Sequence, residues 1–181
     1  MRLETDRLVL RRLESTDLDE MTALLGDAKA LTHWGGPLDR SGARDWIVRN
    51  LARYERDGFG RCAVIWRATG ELVGDCGLIR TEVEGAPDVE LGWIVRRDQW
   101  GRGIATEAGR AWRDYAFERA GLDRIVSMVS EVNTASRRVA EKLGLRVERM
   151  AVWGDAPMLM YAIDRATWQR LQRGHGEVEG P

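Results

Sequence analysis

The sequence predicts a single domain of the α/β class, built on a mixed, mostly antiparallel sheet flanked by about four helices. Three observations carry that expectation. Residues 61–66, 71–79 and 89–95 are apolar, β-favouring runs in direct succession, separated only by Thr69-Gly70 and Glu84-Gly85-Ala86-Pro87, the pattern of an antiparallel meander. A long Ala-rich helical pattern then stands between two strand patterns. Such a unit closes as a right-handed crossover and makes the sheet parallel at its centre. Finally, 181 residues with 44% hydrophobic content can bury roughly 70% of the surface the unfolded chain exposes, so no disulfide or metal is needed to hold the core.

Each element has its own local signal. Residues 7–13 read as a strand, and Thr16-x-x-Asp19 has the form of a capping box before Leu18, Met21 and Leu25 at helical spacing. Gly35-Gly36-Pro37 breaks the chain. Ser41 is placed to cap a second helix whose Ala43, Ile47, Leu51 and Tyr54 share a face, and Gly58 stops it. Within 89–95, alternation puts Val89, Leu91, Trp93 and Val95 on one face and Glu90, Gly92 and Ile94 on the other, which makes Glu90 the odd residue of its face. Ile104, Ala108, Trp112 and Tyr115 mark a helix from Gly103 to Ala120, ended by Gly121. A strand over 124–130, a helix marked by Ala135, Val139 and Leu143, and a hairpin of 145–150 with 158–163 complete the order β-α-α-β-β-β-α-β-α-β-β. The domain spans 1–173, and 174–181, which mixes Gly, Glu and Pro without apolar period, is expected to be a flexible tail.

Charge and composition exclude several functions. A formal net charge of −1 gives no global reason to bind nucleic acid or an anionic membrane, and the basic pairs Arg96-Arg97 and Arg137-Arg138 are too few to change that. No apolar run is long enough to span a bilayer, and residues 1–6 lack the apolar centre of a secretion signal, so a cytoplasmic protein is expected. Cys62 and Cys76 read as buried free thiols. With His33 and His175 they form no zinc pattern, and no metal is expected.

The most informative stretch is Trp100-Gly101-Arg102-Gly103-Ile104-Ala105, a glycine-bearing turn between a strand and the long helix. Gly101 and Gly103 permit positive φ, and the first helical turn leaves N–H groups free at the positive end of the dipole, which makes an anion cradle. A Walker loop is ruled out, because it needs Gly-Lys-Ser/Thr and lysine occurs only at 29 and 142. A dinucleotide fingerprint needs a third glycine where Thr106 stands. A turn that only starts a helix is the plainer alternative.

Four motifs taken together go further. Val89-Glu90-Leu91-Gly92-Trp93-Ile94-Val95, the turn continued to Ala108, Asn133-Thr134-Ala135-Ser136 and Glu141-Lys142-Leu143-Gly144-Leu145 resemble the GNAT superfamily of acyl-CoA-dependent N-acyltransferases. The opening 5–13 resembles the branch typified by ribosomal-protein N-terminal acetyltransferases, and the resemblance runs from about Glu4 to about Asp164. It implies the GNAT fold, with a splayed central sheet, and acetyl-CoA as cosubstrate. It also implies that backbone groups of Gly101, Arg102, Gly103, Ile104, Ala105 and Thr106 hold the pyrophosphate. Trp93, Ile94 and Val95 would pair with the pantetheine arm and the thioester carbonyl, and an N–H there would stabilise an oxyanion, a contribution of roughly 3 to 4 kcal/mol in other acyl-transfer enzymes. Asn133 would contact the pantetheine arm, and Ser136 would stand near sulfur as donor to the leaving thiolate.

Two positions depart from the family pattern. Trp100 replaces the usual Gln or Arg, and Ala140 replaces the Tyr that serves many relatives as acid. His33 and Trp34 fall where the family builds its acceptor wall, and Glu90 is the candidate base for the incoming ammonium, assisted by the acidic stretch Glu82, Glu84 and Asp88. On the residues alone, Asn133 is equally a helix cap, Glu90 equally a carboxylate paired with an arginine, and Glu107 a dipole-compensating residue. The implied function is acetyl transfer to a primary amine, either a protein N-terminus or a small molecule, by direct attack in a ternary complex, and family habit adds a homodimer. A sensor module of the same fold, binding acyl-CoA without catalysis, is the alternative.

Overall fold

The computed structural model describes residues 1–154 and 156–176. Eight strands form one sheet: β1 (Arg2–Glu4), β2 (Leu8–Arg12), β3 (Arg61–Trp66), β4 (Leu72–Val83), β5 (Ala86–Val95), β6 (Arg124–Val129), β7 (Arg146–Trp153) and β8 (Ala156–Asp164). Their spatial order is β1-β2-β3-β4-β5-β6-β8-β7. Every neighbouring pair is antiparallel except β5 and β6, the two strands joined through the crossover helix. The helices are α1 (Leu18–Leu25), α2 (Arg40–Asp57), α3 (Ile104–Glu118), α4 (Thr134–Lys142) and α5 (Arg165–Gly176). No helix among the described residues is long and apolar enough to cross a membrane.

The side chains of the sheet alternate as the strand period requires, and each face has its own core. Cys62, Val64, Leu91 and Trp93 pack with Ala108, Trp112, Ala116 and Phe117 of α3 and with Leu143 and Trp168 beyond it. Ala63 and Ile94, from the opposite face, pack with Met21, Leu24 and Leu25 of α1 and with Ala43 and Ile47 of α2. Cys62 and Cys76 face each other across β3 and β4 as buried free thiols.

Several elements differ from the sequence expectations. The entry to α1 is fixed by Asp17 and not by Thr16 and Asp19: Glu14 N–H donates to Asp17 Oδ2 at 2.8 Å, while Asp19 lies on the surface paired with Arg40. Helix α2 begins one residue before Ser41, and Asp39 caps it by accepting from Gly42 N–H at 2.8 Å. Strand β1 and helix α5 are additional. Because α5 runs through Gly176, three residues of the expected tail are helical, and residues 177–181 lie outside the described residues.

The feature that positions the site is the parting of the two central strands. β4 and β5 stay paired over ten positions, from Gly74 opposite Val95 to Val83 opposite Ala86. β5 and β6 share one register pair, Glu90 opposite Val126, and beyond it the strands separate toward their C-terminal ends. Crossover α3 starts at the open end of this gap.

Candidate active site

The turn into α3 is built from two left-handed glycines, Gly101 at φ 76° and Gly103 at φ 79°, and Gly103 occupies the N-cap position. The first intrahelical bond runs from Glu107 N–H to Gly103 C=O. Of the six backbone N–H groups from Gly101 to Thr106, none has an acceptor among the described residues. Six free donors at a helix N-terminus attract an anion by dipole and by hydrogen bonding together. The connection between β1 and β2 pins the turn: Arg7 Nη1 donates to Arg102 C=O, and Thr5 Oγ1 and the Arg7 guanidinium hold Glu107. That grip keeps the Glu107 carboxyl below its ordinary value despite partial burial, so Glu107 is a structural anchor and not a base.

Beside the turn, the end of β5 offers backbone groups of its own. Arg96 N–H donates to Val73 C=O, and antiparallel alternation turns Ile94 the same way, with its carbonyl lying against Gly74. Trp93 and Val95 therefore turn their backbone groups toward the gap left by β6. The indole Nε1 of Trp100 fills one of them, donating to Val95 C=O at 2.8 Å, so both Trp93 groups and the Val95 N–H face the gap unpaired.

Two cavities meet at this gap. The larger, about 580 Å³, runs past Gly101, Gly103 and the N-terminus of α3, and its rim carries Lys29, Arg138 and Lys142. None of these three cations makes an ion pair to a described residue. The smaller, about 410 Å³, lies between Glu90, Ser127 and Met128 on one side and Trp34 and Trp153 on another. His33, Trp34, Trp93, Asn133 and Ser136 line both. Asn133 Oδ1 caps α4 by accepting from Ser136 N–H at 3.1 Å, while its Nδ2 and the Ser136 hydroxyl have no partner among the described residues.

Among the described residues Glu90 is the carboxylate of the smaller cavity, and it is 4% exposed. Burial pushes its carboxyl up to about 7, against the pull of the nearby Arg61 and Arg53 guanidinium groups and of the Met128 backbone N–H. Arg61 is itself buried and bound to Asp75, with Nε at 2.5 Å from Oδ1, and Trp46 Nε1 donates to the other oxygen at 3.2 Å. The Arg61 guanidinium lies 4.9 Å from the Trp34 ring centroid and 5.6 Å from that of Trp46. Gly92 makes room for it, since a Cβ there would stand 2.0 Å from Arg61 Nη1 and 3.1 Å from the Trp34 ring.

Comparison with known proteins gives this geometry its family. Residues 7–146 match the model of the acetyltransferase (GNAT) domain. The chain belongs to the GNAT acetyltransferase family. It is 32% identical over 165 residues to the uncharacterized protein YkkB of Bacillus subtilis (strain 168), covering 88% of this chain and 94% of that protein. An acetyltransferase from Agrobacterium tumefaciens str. C58 superposes with a TM-score of 0.80 at 32% identity, covering 90% and 94% of the two chains. The fold is also that of RimL, the ribosomal L7/L12 alpha-N-protein acetyltransferase solved with coenzyme A, at a TM-score of 0.75 and 17% identity, covering 91% and 98%.

A GNAT domain is an acyltransferase, and the residues singled out in the sequence can be placed within it. The turn, Trp93, Val95, Asn133, Ser136, His33, Trp34 and Glu90 converge on the two cavities. Ile94 lines the larger cavity as well, although alternation turns its backbone groups to β4. The acidic stretch does not line the site: Glu84 pairs with Arg149 and Asp88 with Arg124. Arg96 is held by Asp98 and Arg97 by Asp27, which leaves Arg138 as the one member of the basic pairs at the rim. Ala140, on the inward side of α4, is fully buried in the core and lines neither cavity. Sequence reasoning missed Arg61, Ser127, Met128, Met158 and the rim lysines. Trp153 carried a weak signal as an aromatic beside a Gly turn.

Proposed function

We propose that the protein transfers an acetyl group from acetyl-CoA to a primary amine by direct attack in a ternary complex. One observation carries the reading: a cavity bordered by six free backbone N–H groups and a cavity holding a buried carboxylate meet where β5 and β6 part. The free donors from Gly101 to Thr106 fit a pyrophosphate, the rim cations Lys29, Arg138 and Lys142 fit its remaining phosphate, and the unpaired Trp93 backbone fits an extended amide arm. When bound, acetyl-CoA supplies the acetyl group as an activated thioester. Glu90, with a carboxyl near 7, takes the proton that the ammonium must lose before it attacks. The Trp93 and Val95 edge presents N–H groups to an oxyanion, and the Ser136 hydroxyl donates to the leaving thiolate. Cys62 and Cys76 are buried in the core and line neither cavity, and no base is hydrogen-bonded to the Ser136 hydroxyl among the described residues, so the arrangement favours direct transfer over an acyl-enzyme.

The core position of Ala140 favours one rival, a sensor that binds acyl-CoA without turnover. Calorimetric and thermal-shift titration with acetyl-CoA, followed by mass spectrometry of amine and peptide panels, separates the two. Ligand at 100 times its Kd should stabilise the native chain by about 2.7 kcal/mol. Absence of binding would refute the reading, and tight binding with no acetylated product from any amine would leave the sensor.

A further inference from the structure

We propose that Trp100 and Val132 form an apolar clamp on the middle of the acyl-CoA arm, and that Trp100 selects an arm with a branched hydrocarbon next to the pyrophosphate. This rests on the acetyltransferase reading and adds to it a determinant of cofactor choice. Two large apolar side chains stand open at the larger cavity: Trp100 is 52% exposed and Val132 75%. Trp100 belongs to the connection from β5 to α3 and Val132 to the connection from β6 to α4, so they reach the cavity from the two strands that part. Covering such side chains with a ligand removes apolar surface from water, and small-molecule sites are mostly apolar for that reason.

The indole is in place before any ligand arrives. Its Nε1 donates to Val95 C=O at 2.8 Å, which ties the ring to the end of β5. A ring already ordered adds little entropy cost when a ligand covers it. The same bond sets where hydrogen bonding along β5 stops. An extended arm can pair with the Trp93 N–H and C=O and with the Val95 N–H, but the Val95 C=O is taken. Past Val95 the arm meets an indole in place of an acceptor, and an apolar segment fits there.

The order of groups along the cavity agrees with the order of groups along acyl-CoA. From the gap outward the chain presents the Trp93 backbone, the Val95 N–H, Trp100 and then the donors from Gly101 to Thr106. From thioester to nucleotide the cofactor presents two amides, a carbon bearing two methyl groups, and the pyrophosphate. The dimethyl carbon stands next to the pyrophosphate as Trp100 stands next to the donor turn.

The test is calorimetric and uses acetyl-CoA, an acetyl-CoA analogue without the two methyl groups, and the nucleotide half alone, 3′-phosphoadenosine diphosphate. Wild type should bind acetyl-CoA about tenfold more tightly than the desmethyl analogue, the effect of two buried methyl groups. Trp100→Ala should weaken acetyl-CoA binding by about tenfold or more, bind the two acetyl ligands alike, and leave the affinity for the nucleotide half unchanged. Loss of the preference in the variant is a coupling between ring and methyl groups that a structural role of Trp100 would not produce. Val132→Ser alters an exposed position and should reduce the preference in part, which keeps the comparison open if Trp100→Ala does not fold. Equal binding of the two acetyl ligands by wild type would overturn the clamp and leave the acetyltransferase reading standing. So would a full preference that survives Trp100→Ala or, should that variant not fold, survives Val132→Ser. A matching loss of affinity for the nucleotide half would also overturn it, because the effect of Trp100 would then lie in the turn. Failure of acetyl-CoA to bind wild type would overturn both.

Discussion

Replacing Glu90 with Gln should make the protein more stable and less active, and the pH dependence of the stability gain gives the cause. In the folded chain the carboxyl titrates near 7, against 4.5 for a free glutamate, because it is buried. That difference of roughly 2.5 corresponds to about 3 kcal/mol in favour of the protonated form. The sign follows directly. Below pH 4.5 the group is protonated in both states and costs nothing. Between 4.5 and 7 the unfolded chain gives up its proton first, so stability is lost as pH rises, and above 7 the loss is complete. Gln carries no charge at any of these values. The Tm of Glu90→Gln minus that of wild type should therefore climb with pH between 5 and 8.5. At 2 to 4 °C per kcal/mol for a chain of this size, the climb is about 6 to 12 °C. An unsatisfied amide would lower the whole difference by about 1 kcal/mol without changing its slope. The assay is differential scanning calorimetry of both proteins, without ligand, at half-unit pH steps. In parallel, kcat/KM should fall by about 10² to 10⁴ and lose its limb near 7. A Tm difference that stays flat across this range would refute the assignment of a raised carboxyl to Glu90, and the base role would fall with it.

Other substitutions read other parts of the site. Gly103→Val forces a β-branched residue to φ 79° at the helix N-cap and should cost about 1 to 2 kcal/mol in urea denaturation. It should also abolish the Tm rise on adding acetyl-CoA, and a retained rise would show that the turn does not hold the phosphates. Ser136→Ala should lower kcat about tenfold or more while unfolding free energy and acetyl-CoA affinity stay level, because the hydroxyl has no protein partner to lose. An unchanged kcat would remove Ser136 as the acid. Asp75→Asn breaks a buried ion pair and should cost about 3 to 5 kcal/mol. It should also move the kinetic limb of Glu90 to lower pH, and a limb still near 7 would show that Asp75 does not control Arg61.

The parts of the site legible in the sequence are those fixed by local chemistry. Gly101 and Gly103 announced the turn because positive φ and a following helix leave little else for those letters to do. Period-two alternation placed Glu90 opposite Trp93, since β5 is regular there. Asn133 was read both as a cap and as a pocket residue, and its two amide atoms allow both: Oδ1 caps while Nδ2 stays free. What could not be read is long-range. Arg61 opens an apolar strand with no local signal of a role, yet Asp75, Gly92 and Trp34 converge on it from elsewhere in the chain. Strand β1 has three residues and exists by pairing with β2. Helix α5 draws its stability from Trp168, which stacks on Phe117 and donates to Asp114, while its Gly-bearing end resembled a tail.

The arrangement of charges beneath the site explains why Glu90 is left near neutrality instead of being driven to either extreme. A carboxylate buried alone would rise far above 7 and keep its proton, and one bonded to an arginine would fall below its ordinary range and refuse one. Arg61 is close enough to moderate the effect of burial on Glu90, but its Nε bond goes to Asp75. Gly92 keeps the guanidinium in that position, because any side chain there would collide with Nη1. Asp75 thus restrains the cation that would otherwise silence the base. Asp75→Asn should act in kinetics mainly through Glu90: with its counter-ion neutralised, the guanidinium is free to act more strongly on Glu90, and the proton affinity that the transfer needs is lost before any substrate contact is.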